Sequence, residues 1–323
     1  MQKKNGKGKI LLIILVLLLA AGAAGGVYFY KNFYGEANYI KNTRKKDAKP
    51  RTEEEKAAKE KMDAVDAYNI LLMGVDKHDS SWNGNSDVNV LVTVNNKNGT
   101  ICLTSFLRDL YAEIPGIGVR KLNAACANGG PELCEQTLEE TYGLSIDNYA
   151  LVDFNAMRDI IDTLGGIELE IDEDERVTAN DYITCMCQDN EEDPEPFYIK
   201  EAGYVHLGGY QAVGYARNRY TGKGSDFGRT ARQRKVLNAI FAKAKEGGIV
   251  SLRSAAESVM PYVTHDIDAV TMIGLILQLP KWLDYEWEAQ HIPYDDAYFV
   301  ENEILIPKDM EETRQRIQDF ICQ

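Results

Sequence analysis

The sequence predicts an α/β domain set behind one N-terminal transmembrane helix. Three observations carry this reading. Ile10 to Tyr30 is an apolar stretch without a charge. From Tyr68 onward, apolar runs of strand length alternate with segments of helical length. The composition, 45% hydrophobic and 27% charged over 323 residues, is that of an ordinary folded chain. It excludes disordered, collagen-like and low-complexity classes. Six cysteines are too few for a scaffold built on disulfides.

The chain carries 36 Lys and Arg against 50 Asp and Glu, a formal charge of −14. That balance argues against a nucleic-acid partner. The charge is uneven. Residues 1–51 hold 11 Lys and Arg against 2 Asp and Glu, or +9, and residues 52–323 hold the remaining 25 against 48, or −23.

Residues 10–30 are long enough for a transmembrane helix, since about 20 apolar residues at ~1.5 Å rise cross the ~30 Å hydrocarbon layer. Tyr28, Phe29, Tyr30, Phe33 and Tyr34 stand at the far end, where aromatic rings favour the interface. A cleaved signal peptide is the alternative, with the Ala/Gly run at 20–26 as its cleavage region. Four lysines lie in the nine residues before the span and one in the ten after it. This density puts residues 1–9 in the cytoplasm as a short tail and the domain outside the cell membrane.

Residues 31–67 read as a charged linker. Thr52 followed by Glu53, Glu54 and Glu55 opens a polar helix there, with a disordered tether as the alternative. Residues 68–323 can form one domain. Asn69–Val75, Val88–Val94 and Ile101–Phe106 read as strands, the last two joined through the hairpin signal Asn98-Gly99. Pro131–Tyr142 reads as a helix closed by Gly143, and Phe154–Leu164 as a second, stopped by Gly165-Gly166. Ile167–Ile171 is a strand. Residues 172–196, strongly acidic and containing Cys185-Met186-Cys187, read as a solvated surface insertion. Their spacing does not match a calcium-binding EF-hand loop. Arg229–Glu246 is a helix ended by Gly247-Gly248, and residues 251–323 give weaker signals.

No Walker A loop, GxGxxG after a strand, GxSxG elbow or HExxH is present. His78, His206, His265 and His291 do not pair with cysteines at zinc spacings and read as surface or core histidines. Cys126 and Cys134 are near enough to bridge in an oxidising compartment, or are free thiols. The strongest local signal is basic: Arg217, Arg219, Lys223, Arg229, Arg232, Arg234 and Lys235 stand against Asp226 alone. On a helical wheel with Arg229 at zero, Val236, Ile240 and Gln233 fall within about 40° of it, whereas Arg234 and Lys235 lie beyond about 100°. Arg229 and Gln233 therefore share the apolar, inward stripe, and an inward arginine needs an anion. Arg217 and Arg219 share a side if their segment is extended. Asp76 ends the first strand and Asp87 begins the second, so two carboxylates at neighbouring strand ends can hold an oxygen-seeking ion such as Mg²⁺ or Mn²⁺. Arg108-Asp109 ends the third strand, at the edge where open α/β sheets bind ligands. Arginines beside a carboxylate-held metal form a minimal kit for phosphoryl transfer.

Together these residues resemble the LytR-CpsA-Psr family of cell-envelope proteins. The resemblance runs from Tyr68 to Ile240. It comprises Leu72-Met73-Gly74-Val75-Asp76, Ser86-Asp87, Arg108-Asp109, Lys121-Leu122-Asn123 with Gly129-Gly130, Val152-Asp153-Phe154 and Leu164-Gly165-Gly166-Ile167. It continues through Leu207-Gly208-Gly209, Arg217-Asn218-Arg219, Asp226-Phe227-Gly228-Arg229 and Arg232-Gln233. It implies an α/β/α sandwich around a central mixed sheet, with an apolar channel for a lipid tail. It also implies a membrane-anchored transferase that moves an anionic glycopolymer, of the teichoic acid or capsular polysaccharide type, from a polyprenyl-pyrophosphate carrier to peptidoglycan. Asp76 and Asp87 would hold Mg²⁺, Arg108, Arg217, Arg219 and Arg229 would grip the pyrophosphate, Gln233 would assist, and Lys121 would line the polar entrance. Asp226 would orient the arginines or act in proton transfer. Two positions depart from the family pattern: Asn85 stands where Arg often precedes Ser-Asp, and Leu107 where Pro often precedes Arg-Asp. A pyrophosphatase acting on the same lipid, and a non-catalytic envelope regulator, are the competing readings.

Overall fold

The computed structural model describes residues 38–42, 53–76, 83–218, 228–229, 231–233, 235–236, 239–240, 243, 263–282 and 285–323. They belong to two compact units, Ala37–Val152 with Val263–Gln323, and Asp153–Tyr262. In chain order the first unit holds β1 (Asn38–Tyr39), α1 (Glu53–Ala64), β2 (Ala67–Asp76), β3 (Asn85–Asn95), β4 (Thr100–Phe106), β5 (Tyr111–Ile114), β6 (Gly118–Lys121), α2 (Asn123–Tyr142) and β7 (Asn148–Asp153). The second holds α3 (Phe154–Thr163), β8 (Ile167–Ile171), α4 (Glu173–Asp189), β9 (Gly203–Leu207) and α5 (Gly209–Arg217). The chain then returns to the first with β10 (Thr264–His265), α6 (Ala269–Trp282), β11 (Glu286–Ile292), β12 (Tyr298–Glu301), β13 (Ile304–Pro307) and α7 (Met310–Cys322).

The fold is mixed α/β around a central mixed sheet, as the sequence predicts. Seven strands lie in the order β1-β10-β7-β2-β3-β4-β11. The pairs β2–β3, β3–β4 and β7–β10 are antiparallel, and β1–β10 and β4–β11 are parallel. The three expected strands form its middle. Gly99 makes the turn between β3 and β4 with φ 70°, its N–H donating to Asn95 O at 3.0 Å. One face of the middle strands receives helices. Cys134 of α2 lies 3.5 Å from Asn89 Oδ1, the Phe106 ring packs 5.5 Å from Tyr142, and the Cys102 thiol donates to Phe320 O of α7 at 3.3 Å. The opposite face is aliphatic: Ile70, Leu72, Val90, Val92, Val94, Ile101 and Leu103 are all buried. Polar Asn69 is accommodated by donating to Ser145 O at 2.6 Å and accepting from Thr93 at 2.6 Å.

Helix α2 begins earlier than its pattern suggests. Its two halves meet at Gly129 and Gly130, where φ is −151° and 71°, and Pro131 opens the second half. Gly143 closes it with φ 63°. Asp153 caps α3, accepting from Ala156 N at 2.8 Å. Part of the expected linker is structured, since α1 is the anticipated polar helix, with Met62 buried, and residues 38–39 form an edge strand.

The acidic stretch 172–196 is not the solvated insertion its composition suggests. Asp172 and Glu175 form a capping box that starts α4, and Glu175, Ala179, Ile183, Met186 and Cys187 are buried. Glu175 apart, the acids of the helix face solvent, and its buried side packs on α5 at Gly214, where a Cβ would meet Ala179 O at 2.9 Å. Residues 10–30, the expected membrane span, lie outside the described residues. Among the described residues no helix is long and apolar enough to cross a membrane.

Candidate functional site

In the first unit the strand ends assemble a line of alternating charge. Asp76 is the last residue of β2 and faces Asn85, the first of β3, so Asp87 lies two residues further along the neighbouring strand. The Asp76 carboxylate lies outside the described residues. Strand β4 runs back beside β3, and the chain leaves it through Leu107, which donates to Ile292 O at 3.0 Å. The Arg108 carbonyl accepts from Asn123 N at 3.0 Å, and Leu110 accepts from Leu122 N at 2.8 Å. These bonds clamp the exit of β4 against the start of α2 and fix the backbone that carries Arg108 and Asp109.

From that clamp Arg108 Nη1 reaches Asp87 Oδ1 at 3.3 Å, and Arg108 Nε lies 3.5 Å from Asp109 Oδ2. The β5–β6 register sets Lys121 opposite Tyr111 and brings its Nζ to 3.3 Å from Asp109 Oδ1 and 3.1 Å from Glu303 Oε2. The Arg108 and Lys121 side chains are 15% and 29% exposed, and Asp87 only 7%. Two cations are thus held by carboxylates at a partly sheltered strand edge, where an oxyanion can exchange with Asp109 for their N–H groups. The α2 kink puts Gly130 next to the Asn83 amide, which would lie 3.8 Å from a Cβ.

In the second unit Arg217 is the last residue of α5, so the extended conformation that would align it with Arg219 begins only at Asn218, with φ −58° and ψ 124°. The Arg217 guanidinium lies 4.6 Å over the Phe154 ring and 5.8 Å from that of Tyr182. Stacking uses the flat face of the group, whereas its N–H edge is the part that recognises oxyanions. Positions 228–229, 231–233, 235–236, 239–240 and 243 are helical. Arg229, Val236 and Ile240 are each 2% exposed, Gln233 is half-buried and Lys235 is exposed, which matches the predicted inward stripe. Arg219 and Asp226 lie outside the described residues.

Arg232, to which the sequence assigns no role, is also buried. Its Nη2 and Nε donate to Asn218 O at 2.9 and 3.2 Å, and Nη1 lies 3.4 Å from Glu175 Oε1. Tyr215 donates to the same Glu175 oxygen at 3.3 Å. The partner hid in the stretch read as surface.

The donor chemistry suits Mg²⁺, which takes one or two carboxylates and completes its shell with water and substrate phosphates. Asp87 and Asp76, at adjacent strand ends, fit that set. Among the described residues no group of three His, Cys, Asp or Glu side chains is arranged to hold a metal ion. All six cysteines are free thiols, so Cys126 and Cys134 do not bridge. His265 is buried, and His206 is on the surface, 2.7 Å from Glu168.

A family model, described as the LytR_cpsA_psr family, matches residues 27–318. The chain belongs to the LytR-CpsA-Psr family. The match extends well past the motifs, which end at Ile240. Among curated relatives, Biofilm regulatory protein A of Streptococcus mutans is 33% identical over 187 residues, 54% of this chain and 44% of the relative. The polyisoprenyl-teichoic acid–peptidoglycan teichoic acid transferase TagU of Enterococcus faecalis is 31% identical over 207 residues, 63% of this chain and 61% of the relative. The chain thus spans about half the length of these relatives. Among solved structures, TagT bound to LI-WTA superposes with a TM-score of 0.57 at 25% identity, covering 79% of this chain and 89% of the other.

Proposed function

We propose that this chain is a membrane-anchored transferase that moves an anionic glycopolymer from a polyprenyl-pyrophosphate carrier to peptidoglycan and releases polyprenyl phosphate. The observation that carries the reading is the clamped pair of cations, Arg108 and Lys121, beside Asp87 at the strand edge. The likeness to named teichoic acid transferases supports it. In this reading Arg108, Arg217, Arg219 and Arg229 bind the pyrophosphate oxygens, Gln233 assists, and Lys121 lines the entrance. Asp76 and Asp87 hold Mg²⁺, which supplies charge neutralisation at the phosphates. Asp226 orients the arginines or takes the proton of the attacking peptidoglycan hydroxyl.

The hydroxyl oxygen forms a bond to the phosphorus that carries the sugar, and the bond from that phosphorus to the bridging oxygen breaks. Arginines that neutralise the leaving polyprenyl phosphate lower the barrier to that cleavage. The test uses lipid-linked polymer with and without peptidoglycan. Polymer joined to peptidoglycan, with polyprenyl phosphate released only when the acceptor is present, is the expected result. Release without acceptor marks a pyrophosphatase, and binding without release marks a regulator. In Arg217→Ala the loss of a forked contact, worth ~1.5–3 kcal/mol, lowers transfer about ten- to a hundredfold with folding intact. Full transfer by that variant would refute the role of Arg217.

A further inference from the structure

The first unit does not hang on the whole of the expected linker. β1 pairs in parallel with β10, Asn38 with Thr264 and Tyr39 with His265, and Ile40 N donates to His265 O at 2.9 Å. Two residues on, the buried Asn42 amide donates to Glu135 at 2.9 Å and to Asp266 at 2.8 Å. Only residues 31–37 therefore separate the apolar stretch 10–30 from a strand stitched into the sheet. Seven residues at ~3.3–3.6 Å each reach roughly 25 Å, less than the width of an ordinary domain.

The surface at the end of this leash is apolar. Tyr39 is 38% exposed and Ile40 45%, and Lys41 beside them is exposed. Five residues past His265, the first turn of α6 shows Val270, 81% exposed, and then Ile273. Asp268, the acid nearest this turn, is committed to capping it, accepting from Val270 N, Thr271 N and the Thr271 hydroxyl. An aromatic ring, aliphatic side chains and a lysine are the groups that favour the boundary between lipid headgroups and acyl chains. Exposed apolar side chains on the edge strand and on the helix that follows its partner strand offer an interaction face.

We propose that the β1 edge and the first turn of α6 rest on the bilayer, so that the central sheet stands with β1 at the lipid surface and β11 away from it. The proposal rests on residues 10–30 being the membrane anchor of the preceding reading. At six strand spacings of ~4.8 Å, β11 lies roughly 29 Å from β1.

The test reconstitutes the full chain in phosphatidylglycerol–phosphatidylethanolamine vesicles, with and without brominated acyl chains that quench tryptophan. Ile40→Trp and Val270→Trp each add a reporter at the proposed face, and Glu286→Trp adds one on β11; emission of the parent chain is subtracted. The expected result is loss of the added emission at positions 40 and 270 in brominated vesicles, with no loss at 286. If the chain stays with the vesicles through an alkaline wash but neither position 40 nor position 270 is quenched, the seating is wrong and the anchor stands. If the chain washes off, the anchor fails and the seating fails with it. Equal quenching at 286 also overturns the proposal.

Discussion

At the residue scale, burial decides what each charged group does. His265 is 1% exposed, and loss of water depresses its pKa from 6.5 to about 4, although the Asp266 carboxylate acts the other way. The unfolded chain takes a proton at this ring below about pH 6.5 that the folded chain refuses until about pH 4. Stability is therefore complete near neutrality and declines as pH falls through that window. Between pH 7 and pH 5 the site accounts for a loss of roughly 2 kcal/mol, and His265→Gln flattens the slope by that amount in urea titrations at the two pH values. Arg232 is buried as well, against the Glu175 carboxylate. Arg232→Ala leaves Glu175 buried without its guanidinium and costs about 3 kcal/mol, measured by denaturant unfolding. Replacing both residues with methionine recovers much of the loss, because no charge is then stranded.

At the element scale, small residues and caps set how closely helices approach. Gly209 starts α5 directly against α3: its N–H donates to Asp162 Oδ1 at 2.7 Å, and a Cβ there would lie 2.4 Å from the Arg158 carbonyl oxygen. That neighbour is backbone and cannot rotate away. Gly209→Ala forces the two helices apart and destabilises the second unit by ~1–3 kcal/mol, seen as a lower urea midpoint with unchanged slope. Because α5 carries Arg217 at its far end, the same substitution shifts that guanidinium off the Phe154 ring. The clamp around Arg108 is the counterpart in the first unit. Bonds between the β4 exit and the α2 start make one rigid corner from segments that are separate in sequence.

At the scale of the whole molecule, the chain leaves its sheet after β7, builds a second unit and returns at β10. Asp87, Arg108 and Lys121 belong to the first unit, and Arg217, Arg229 and Gln233 to the second. If the carboxylates at the strand ends hold a divalent ion for the pyrophosphate, a chelator stops polymer transfer and added Mg²⁺ restores it. Circular dichroism and melting temperature stay unchanged throughout, because the sheet is built from apolar strands and not around the ion. Transfer that persists in the chelator would remove the metal from the proposal.

The sequence by itself determined the middle of the sheet, the breaks between elements and the inward aim of Arg229. Local signals suffice for these: apolar runs of strand length, glycines that readily adopt positive φ at turns and helix ends, and the 3.6-residue period that put Arg229 in line with Val236 and Ile240. Strand β1 at the sheet's edge and β10 beside it are two residues each and carry no period to detect. Gly129-Gly130 hid the first half of α2. Composition misled in the acidic stretch, since it averages the wet and buried faces of α4 and so concealed Glu175, the partner of Arg232. Only the tertiary structure decided these pairings, and the docking of residues 38–42 on the sheet, because each joins groups far apart in the chain and exists only once the backbone between them is fixed.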